Sequence, residues 1–203
     1  MDARREKLID FVLLVLPWLL FLLPFQLLRA RLIEAMVFVS LSLAVLVILT
    51  GRASLHLKGK LWPLSSALGA LVLYAIFLAG GVFAKATGMW GQVMAVYSVA
   101  GPSVVQLIGV LVIGLAEEAY WRGFVQRYFT EGLLGLPWWV SVAPYSLVHV
   151  VSGMPLLVLA AIPVGLVMGL ICERNGVLAS GISHAVWLYL VLYVFPVSSI
   201  LSP

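Results

Sequence analysis

Long hydrophobic runs separated by short polar connections form the pattern of this chain. A membrane-spanning helix needs about 20 mostly apolar residues, and dividing the chain on that length predicts about seven spans. These run from Leu8 to Leu28, Leu32 to Thr50, Leu61 to Phe83, Ser103 to Tyr128, Trp138 to Val151, Leu156 to Cys172 and Val177 to Phe195. The fifth is short and contains Pro144, so we expect it to be kinked or incompletely spanning. The pattern therefore predicts an all-α fold, a multi-pass transmembrane helical bundle.

Composition supports a membrane protein and excludes several other classes. Hydrophobic residues make up 64% of the chain and charged residues 10%, which is far more apolar than a typical soluble domain. A net charge of +4 could suggest nucleic acid, but the cations fall in short connections rather than in one patch, so we expect no nucleic-acid partner. The single cysteine, Cys172, excludes an intrachain disulfide and a zinc site built from several thiolates.

The positions of the Lys and Arg residues predict the orientation of the bundle. In the connections and at the span ends, more of them fall on one side than on the other. One side has Arg4, Arg5, Lys7, Arg52, Lys58, Lys60, Arg127 and Arg174, and the other has Arg29, Arg31 and Lys85. By the positive-inside rule this distribution predicts a cytoplasmic N terminus and, with seven spans, a C terminus outside.

Asp10 and Glu34 lie near span ends, where they can reach the interface. The ionisable residues expected deeper in the membrane are Glu117, Glu118, Arg122, His149 and His184. A charged side chain at mid-bilayer costs about 2.5 to 3.5 kcal/mol even on insertion scales, so each must be paired or functional. Glu118 and Arg122 are four residues apart, the helical spacing at which a carboxylate and a guanidinium meet. Glu117 has no such partner on its own helix. An unpaired carboxyl in a low-dielectric site is a candidate general base.

The depths of these residues predict that three of them meet. At about 1.5 Å per residue, Glu117 lies roughly 16 Å from Tyr128. His149 lies roughly the same distance, about 16 Å, from Trp138, which flanks the same connection. His184 is about 10 Å into the last span on the same scale. We therefore expect a cavity within the membrane, in its cytoplasmic half, that brings the three side chains together.

Two motifs around these residues resemble the CAAX-protease and bacteriocin-processing family of intramembrane glutamic proteases. The family's first motif, E-E-x-x-x-R, is matched by Glu117, Glu118 and Arg122. Its second motif, an aromatic residue followed by x-x-x-H, is matched by "YSLVH", with Tyr145 where Phe is usual and His149 as the histidine. The chain therefore matches both the first and the second motif of the family.

The third motif of the family, H-x-x-x-N, is matched only in part. The stretch "HAVWL" supplies His184 but has Leu188 at the asparagine position. The resemblance covers about Ser103 to Tyr193. In the family this asparagine helps to stabilise an oxyanion, and we hypothesise that the indole N–H of Trp187, three residues after His184, takes its place.

The resemblance implies an intramembrane endopeptidase that cleaves a membrane-associated protein or peptide. It assigns Glu117 as the base, His149 as the residue that orients the water or shares its proton, and His184 as an oxyanion donor. Glu118 and Arg122 would hold the first-motif helix and tune Glu117. The family chemistry requires no metal and no other cofactor.

The resemblance also implies an organisation and a location for the chain. Residues 103–203 would form the catalytic core, and residues 1–102 would contribute three accessory helices and a loop. A compact chain of 203 residues suggests a prokaryotic member of the family, in the inner (cytoplasmic) membrane.

Three alternatives remain open from the residues alone. Two histidines and a glutamate are also a zinc-ligand set, as in metal-dependent hydrolases, although no H-E-x-x-H spacing occurs. A non-catalytic scaffold or immunity protein of the same fold would explain Leu188. A proton-coupled transporter would also use intramembrane Glu and His, but no further polar residues continue the path across the bilayer.

Overall fold

The computed structural model describes residues 3–201, and those residues form helices and connections with no strand. Within this range, six helices are long and apolar enough to cross a membrane. They are Arg4–Leu27, Arg29–Leu49, Trp62–Ala86, Val104–Leu133, Pro155–Asn175 and Val177–Val194. The predicted all-α fold is confirmed, and the chain is a multi-pass membrane protein.

Most of the structure is α-helical, with π-helical and 3-10 pieces that extend or join the helices. The α-helices are α1 (Ala3–Leu20), α2 (Leu32–Leu49), α3 (Trp62–Ala86), α4 (Trp90–Tyr97), α5 (Val104–Glu118), α6 (Val142–Leu147), α7 (Pro155–Asn175), α8 (Val177–Tyr189) and α9 (Val197–Leu201). The π-helical pieces are Leu23–Leu27, Ala119–Leu133 and Leu190–Val194. The 3-10 pieces are Arg29–Arg31, Trp138–Ser141 and Val148–Ser152.

The fifth predicted span is short, as expected, and is not among the six helices of the described chain that are long and apolar enough to cross a membrane. Residues 138–152 are too few for a helix of about 20 residues, and α6 carries a 3-10 piece at each end. A 3-10 helix rises about 2.0 Å per residue, compared with 1.5 Å for an α-helix. This segment therefore covers more depth per residue than an α-helix, and it still joins the two ends of the bundle.

One end of the bundle collects the start of α1, the 51–60 loop and the α7–α8 turn, and we call it the cationic end. Arg52 donates from Nε to Asp10 at 2.5 Å and also pairs with Glu6. The Leu178 N–H donates to the His56 carbonyl at 3.1 Å. The eight cations that the sequence groups on one side lie in or beside these segments.

The other end, which we call the opposite end, collects the remaining connections. Gln26 donates from Nε2 to the Val151 carbonyl at 2.6 Å, and the Leu156 N–H donates to Oε1 of Gln92 at 3.0 Å. Lys85 donates to the carbonyl of Leu201. The two ends of the described chain therefore lie at opposite ends of the bundle, as seven traverses require.

The helices α5 and α8 cross in close contact. A Cβ added at Gly114 would stand 2.6 Å from the Ala185 backbone nitrogen, so the two backbones touch where a larger residue would hold them apart. This crossing lies beside Glu117 and His184 in the sequence. The first three helices pack against this core, since Ser66 of α3 donates to the Ala179 carbonyl of α8 at 2.8 Å. The division at residues 102 and 103 stays a prediction.

Candidate active site

The two neighbouring glutamates end α5, just where the chain continues into the π-helical piece. Glu118 accepts from Nε of Arg122 at 3.0 Å through Oε2, and both side chains are completely buried. The spacing of four residues places the two groups on one face of the helix. One buried charge of each sign is therefore neutralised within a single helical turn.

Glu118 also holds a histidine from another helix. Its second oxygen, Oε1, lies 3.0 Å from Nδ1 of His184. An ionised carboxylate can only accept, so Nδ1 of His184 carries the proton in this contact. Nε2 of His184 remains for other partners. Sequence reasoning missed this link, because the two residues are far apart in the chain and on different helices.

Arg122 is stabilised by a ring as well as by its carboxylate. Its guanidinium carbon lies 4.8 Å from the centre of the Tyr145 ring, a cation–π arrangement. Among the described residues, neither Nη1 nor Nη2 has a hydrogen-bond partner. The tyrosine of the second motif thus helps to hold the arginine of the first.

His149 is fixed in one tautomer by its own helix. Its Nδ1 lies 2.9 Å from the Tyr145 carbonyl, and a carbonyl can only accept, so Nδ1 is the protonated nitrogen and Nε2 is the acceptor. The rings of Phe21 and Phe25 pack against the imidazole at 5.9 and 6.3 Å between centroids. The first helix and its π-helical extension therefore shape the site. The uniformly apolar sequence around them carries no signal that singles them out.

Glu117, His149 and His184 line one cavity of about 560 Å³. All three are buried, with 6%, 8% and 3% of their surface exposed. Glu117 makes no hydrogen bond or ion pair with any residue that the structure describes. The structure thus brings the three residues to one cavity and keeps Glu118 and Arg122 behind its wall.

The position of this cavity differs from the expectation. It extends from the three residues toward the opposite end, whereas the sequence predicts a cavity in the half next to the cationic connections. On α5 the lining residues stop at Glu117, and on α8 they begin at His184. The three side chains form the floor of the cavity.

Trp187 and Leu188 also line the cavity. Nε1 of Trp187 has no hydrogen-bond partner within the described part of the chain. Its ring lies 5.5 Å from that of His184 and 4.6 Å from that of Phe77, so packing on two sides holds the indole. Leu188 adds only an apolar surface. The side chain next to the position of the family's asparagine therefore carries an N–H that no described residue accepts.

The arrangement of the His, Cys, Asp and Glu side chains decides whether the described residues could hold a metal ion. Nowhere in residues 3–201 do three or more His, Cys, Asp or Glu side chains lie where they could hold one ion. The cavity therefore offers a carboxyl, two imidazoles and an indole N–H, a set suited to moving protons and to donating hydrogen bonds.

Comparison with protein-family models places this region in a known family. Residues 99–190 match the model described as "Type II CAAX prenyl endopeptidase Rce1-like", and this region contains the first two motifs and the partly matched third. No curated protein and no solved structure matches the chain. The chain therefore carries, over residues 99–190, a domain of the Rce1-like type II CAAX prenyl endopeptidase family.

Proposed function

We propose that this protein is an intramembrane endopeptidase that cleaves a membrane-associated protein or peptide, with Glu117 as its general base. One observation carries the proposal. Of two neighbouring buried carboxylates, Glu118 is bound to Arg122 and His184, while Glu117 lines the same cavity as the imidazoles of His149 and His184. The family suggests a protease but also includes non-catalytic members, so the site itself has to support the activity.

The proposed reaction begins with a water held between Glu117 and His149. The carboxylate of Glu117 takes one proton of the water, and Nε2 of His149 accepts a hydrogen bond from the other. The water oxygen attacks the peptide carbonyl carbon and forms a tetrahedral intermediate. When that intermediate collapses, the C–N bond breaks and Glu117 returns the proton to the leaving nitrogen. The products are a new carboxyl terminus and a new amino terminus.

The negative oxygen of the intermediate requires hydrogen-bond donors. A protonated His184 donates from both nitrogens, from Nδ1 to Glu118 and from Nε2 to the oxyanion. The indole N–H of Trp187 supplies the second donor, in the place of the asparagine that Leu188 replaces. The unpartnered Nε1 beside His184 supports this role.

Water activation by Glu117 needs no metal ion, so the proposal assigns no cofactor. The zinc alternative would require three ligands around one point, and the described side chains do not provide that geometry. The lipid bilayer and a membrane-embedded or lipid-anchored substrate are the proposed partners. The prokaryotic inner membrane is the proposed location.

A non-catalytic membrane partner of the same fold is the second candidate. Leu188 favours it, because the side chain at the asparagine position donates no hydrogen bond. Such a protein would keep the buried ion pair for stability and would have no use for an unpaired carboxyl at the cavity floor. The two candidates therefore differ in what a substitution at Glu117 does.

The test compares membranes from cells that produce the wild type, Glu117→Gln, His149→Ala or the matched control Glu131→Gln. Glu131 is a partly exposed glutamate that pairs with Arg127 and lies outside the cavity. Mass spectrometry of peptide ends should find new termini with the wild type and with Glu131→Gln. We expect those termini to be absent with Glu117→Gln and His149→Ala. Identical termini in all four membranes would support the non-catalytic candidate.

A further inference from the structure

We propose that an apolar peptide segment reaches the site sideways from the lipid, through a gap between α3 and α7 in the half of the bundle away from the cationic end. The proposal names the substrate class and route for the site described above, and thus rests on the proposed function. Binding can nevertheless be measured without cleavage.

The cavity is closed toward the cationic end. Glu118, Arg122 and Gln126 follow Glu117 in that direction and are completely buried. On that side α3 and α7 are in contact, since a Cβ added at Gly69 would stand 2.3 Å from Cδ1 of Ile171. No lining residue lies on that side of Glu117 in its helix. A substrate therefore cannot reach the catalytic groups from the cationic end.

The opposite end is covered along the axis of the bundle. Gln92 of α4 accepts a hydrogen bond from the N–H of Leu156, at the start of α7. The N–H of Val197, at the start of α9, donates to the Tyr97 hydroxyl at 3.0 Å. Gly81 of α3 lies so close to α9 that an added Cβ would stand 2.7 Å from Val197. The helices α4 and α9 thus form a cover over this end.

The remaining opening faces the lipid. Of the described residues that line the cavity, those that are exposed are Ile76, Ala79, Phe83 and Leu159. The first three lie on α3 and the last lies on α7. The helices that touch at Gly69 therefore leave space between them nearer the opposite end. We call these four residues the mouth.

The residues that line the cavity indicate which kind of molecule binds there. Apolar residues dominate the lining, so a polar chain would lose its hydration without gaining partners. A peptide segment and a lipid chain would both fit an apolar cavity. The indole N–H of Trp187 lacks an acceptor at the cavity floor, and a peptide carbonyl provides one while an acyl chain does not. The inferred occupant is therefore an apolar peptide segment whose scissile carbonyl reaches this floor.

The predicted orientation of the bundle indicates from which side of the membrane the substrate enters. With the cationic end in the cytoplasm, the mouth lies in the outer half of the bilayer. The substrate is then a segment that reaches the middle of the membrane from the outer side.

Photo-cross-linking tests the route in the inactive Glu117→Gln protein. Benzoylphenylalanine is placed at Ala79 or Leu159 of the mouth, and at Leu71 as the matched control. Leu71 is an exposed residue of α3 that lies nearer the cationic end and outside the cavity. The protein is reconstituted in phosphatidylcholine vesicles with a synthetic single-span peptide of leucine and alanine. We expect several-fold more peptide adduct at the mouth than at Leu71, with unlabelled peptide competing only at the mouth.

Two results would overturn the proposal. Equal, non-competed labelling at all three positions would show that the peptide does not use the mouth. Adducts with phosphatidylcholine alone would assign the cavity to a lipid chain.

A cleavage assay separates this proposal from the proposed function. For a peptide found in the comparison of membranes, Ala79→Trp fills the mouth and should slow cleavage several-fold. Val72→Trp, on an exposed position of α3 outside the cavity, should not. If cleavage needs Glu117 but both the labelling and the Ala79→Trp rate match their controls, only the route fails. If the peptide labels the mouth more than Leu71 but Glu117→Gln cleaves at the wild-type rate, only the proposed function fails.

Discussion

The two halves of the bundle on either side of Glu117 are built differently. Toward the cationic end the interior is solid and contains buried polar groups, with Glu118, Arg122 and Gln126 fully enclosed. Toward the opposite end the interior is a cavity with apolar walls. Adjacent glutamates belong to the two halves, and their roles divide accordingly. Glu118 stabilises the fold and holds His184, while Glu117 remains available for chemistry.

The largest expected effect on stability comes from removing a buried ion pair in the solid half of the bundle. Glu118→Ala leaves the buried guanidinium of Arg122 without its carboxylate, and removing one partner of a buried ion pair costs about 3 to 5 kcal/mol. Denaturant titration in detergent measures the loss in the free energy of unfolding.

Glu131→Ala is the matched control, because Glu131 forms an i, i+4 pair with Arg127 that is partly exposed. Exposed helical pairs contribute about 0.3 to 0.5 kcal/mol, so this variant should unfold almost like the wild type. Equal losses in the two variants would contradict the assignment of Glu118 to a buried structural network.

A second substitution tests the role of Trp187 in the half of the bundle that contains the cavity. Trp187→Phe keeps a ring against Phe77 but removes the indole N–H, so we expect the cleavage rate to fall about a hundredfold, as for loss of one oxyanion donor. The unfolding midpoint should change little. Leu188→Asn in the Trp187→Phe background should recover part of the rate. An unchanged rate in Trp187→Phe would remove Trp187 from the mechanism.

The crossing that joins the two halves gives a smaller effect. Gly114→Ala places a methyl group against the backbone of Ala185, and overpacking of this kind costs about 1 to 3 kcal/mol. It should also lower the cleavage rate, because α5 and α8 carry Glu118 and His184. Gly91→Ala, where an added Cβ meets nothing within 4 Å, should do neither. Equal behaviour of the two variants, in both the unfolding titration and the rate assay, would argue against a tight crossing.

The smallest effect is expected from a metal chelator. If Glu117 activates the water, prolonged treatment of the purified protein with EDTA should leave the cleavage rate unchanged. A loss of activity that zinc restores would instead favour the metal-dependent alternative. Elemental analysis of the same sample gives an independent reading.

The sequence was sufficient to predict much of this arrangement. Long apolar runs predicted the helices, and the spacing of Glu118 and Arg122 predicted their pairing. The matched depths of Glu117, His149 and His184 predicted that they would share one cavity. Each of these inferences depends on distances along a single helix or on lengths measured from a membrane surface.

Other features depend on which helices become neighbours, and local sequence does not specify that. The hydrogen bond from His184 to Glu118 requires α5 and α8 to touch. The rings around His149 come from an apolar helix in which Phe21 looks like any other lipid-facing residue. The direction in which the cavity extends depends on where α3 and α7 separate. The sequence indicated that the segment 138–152 is short, but it did not indicate the 3-10 geometry at both ends of that segment.

The most direct test of the central claim is the rate of peptide cleavage by purified Glu117→Gln protein. The rate is measured in a single turnover on the peptide identified in the comparison of membranes, with thermal unfolding recorded on the same preparation. Loss of a general base costs about 10² to 10⁴ in rate, so we expect a fall of that size with an unchanged unfolding midpoint. Cleavage by Glu117→Gln at the wild-type rate would contradict the account.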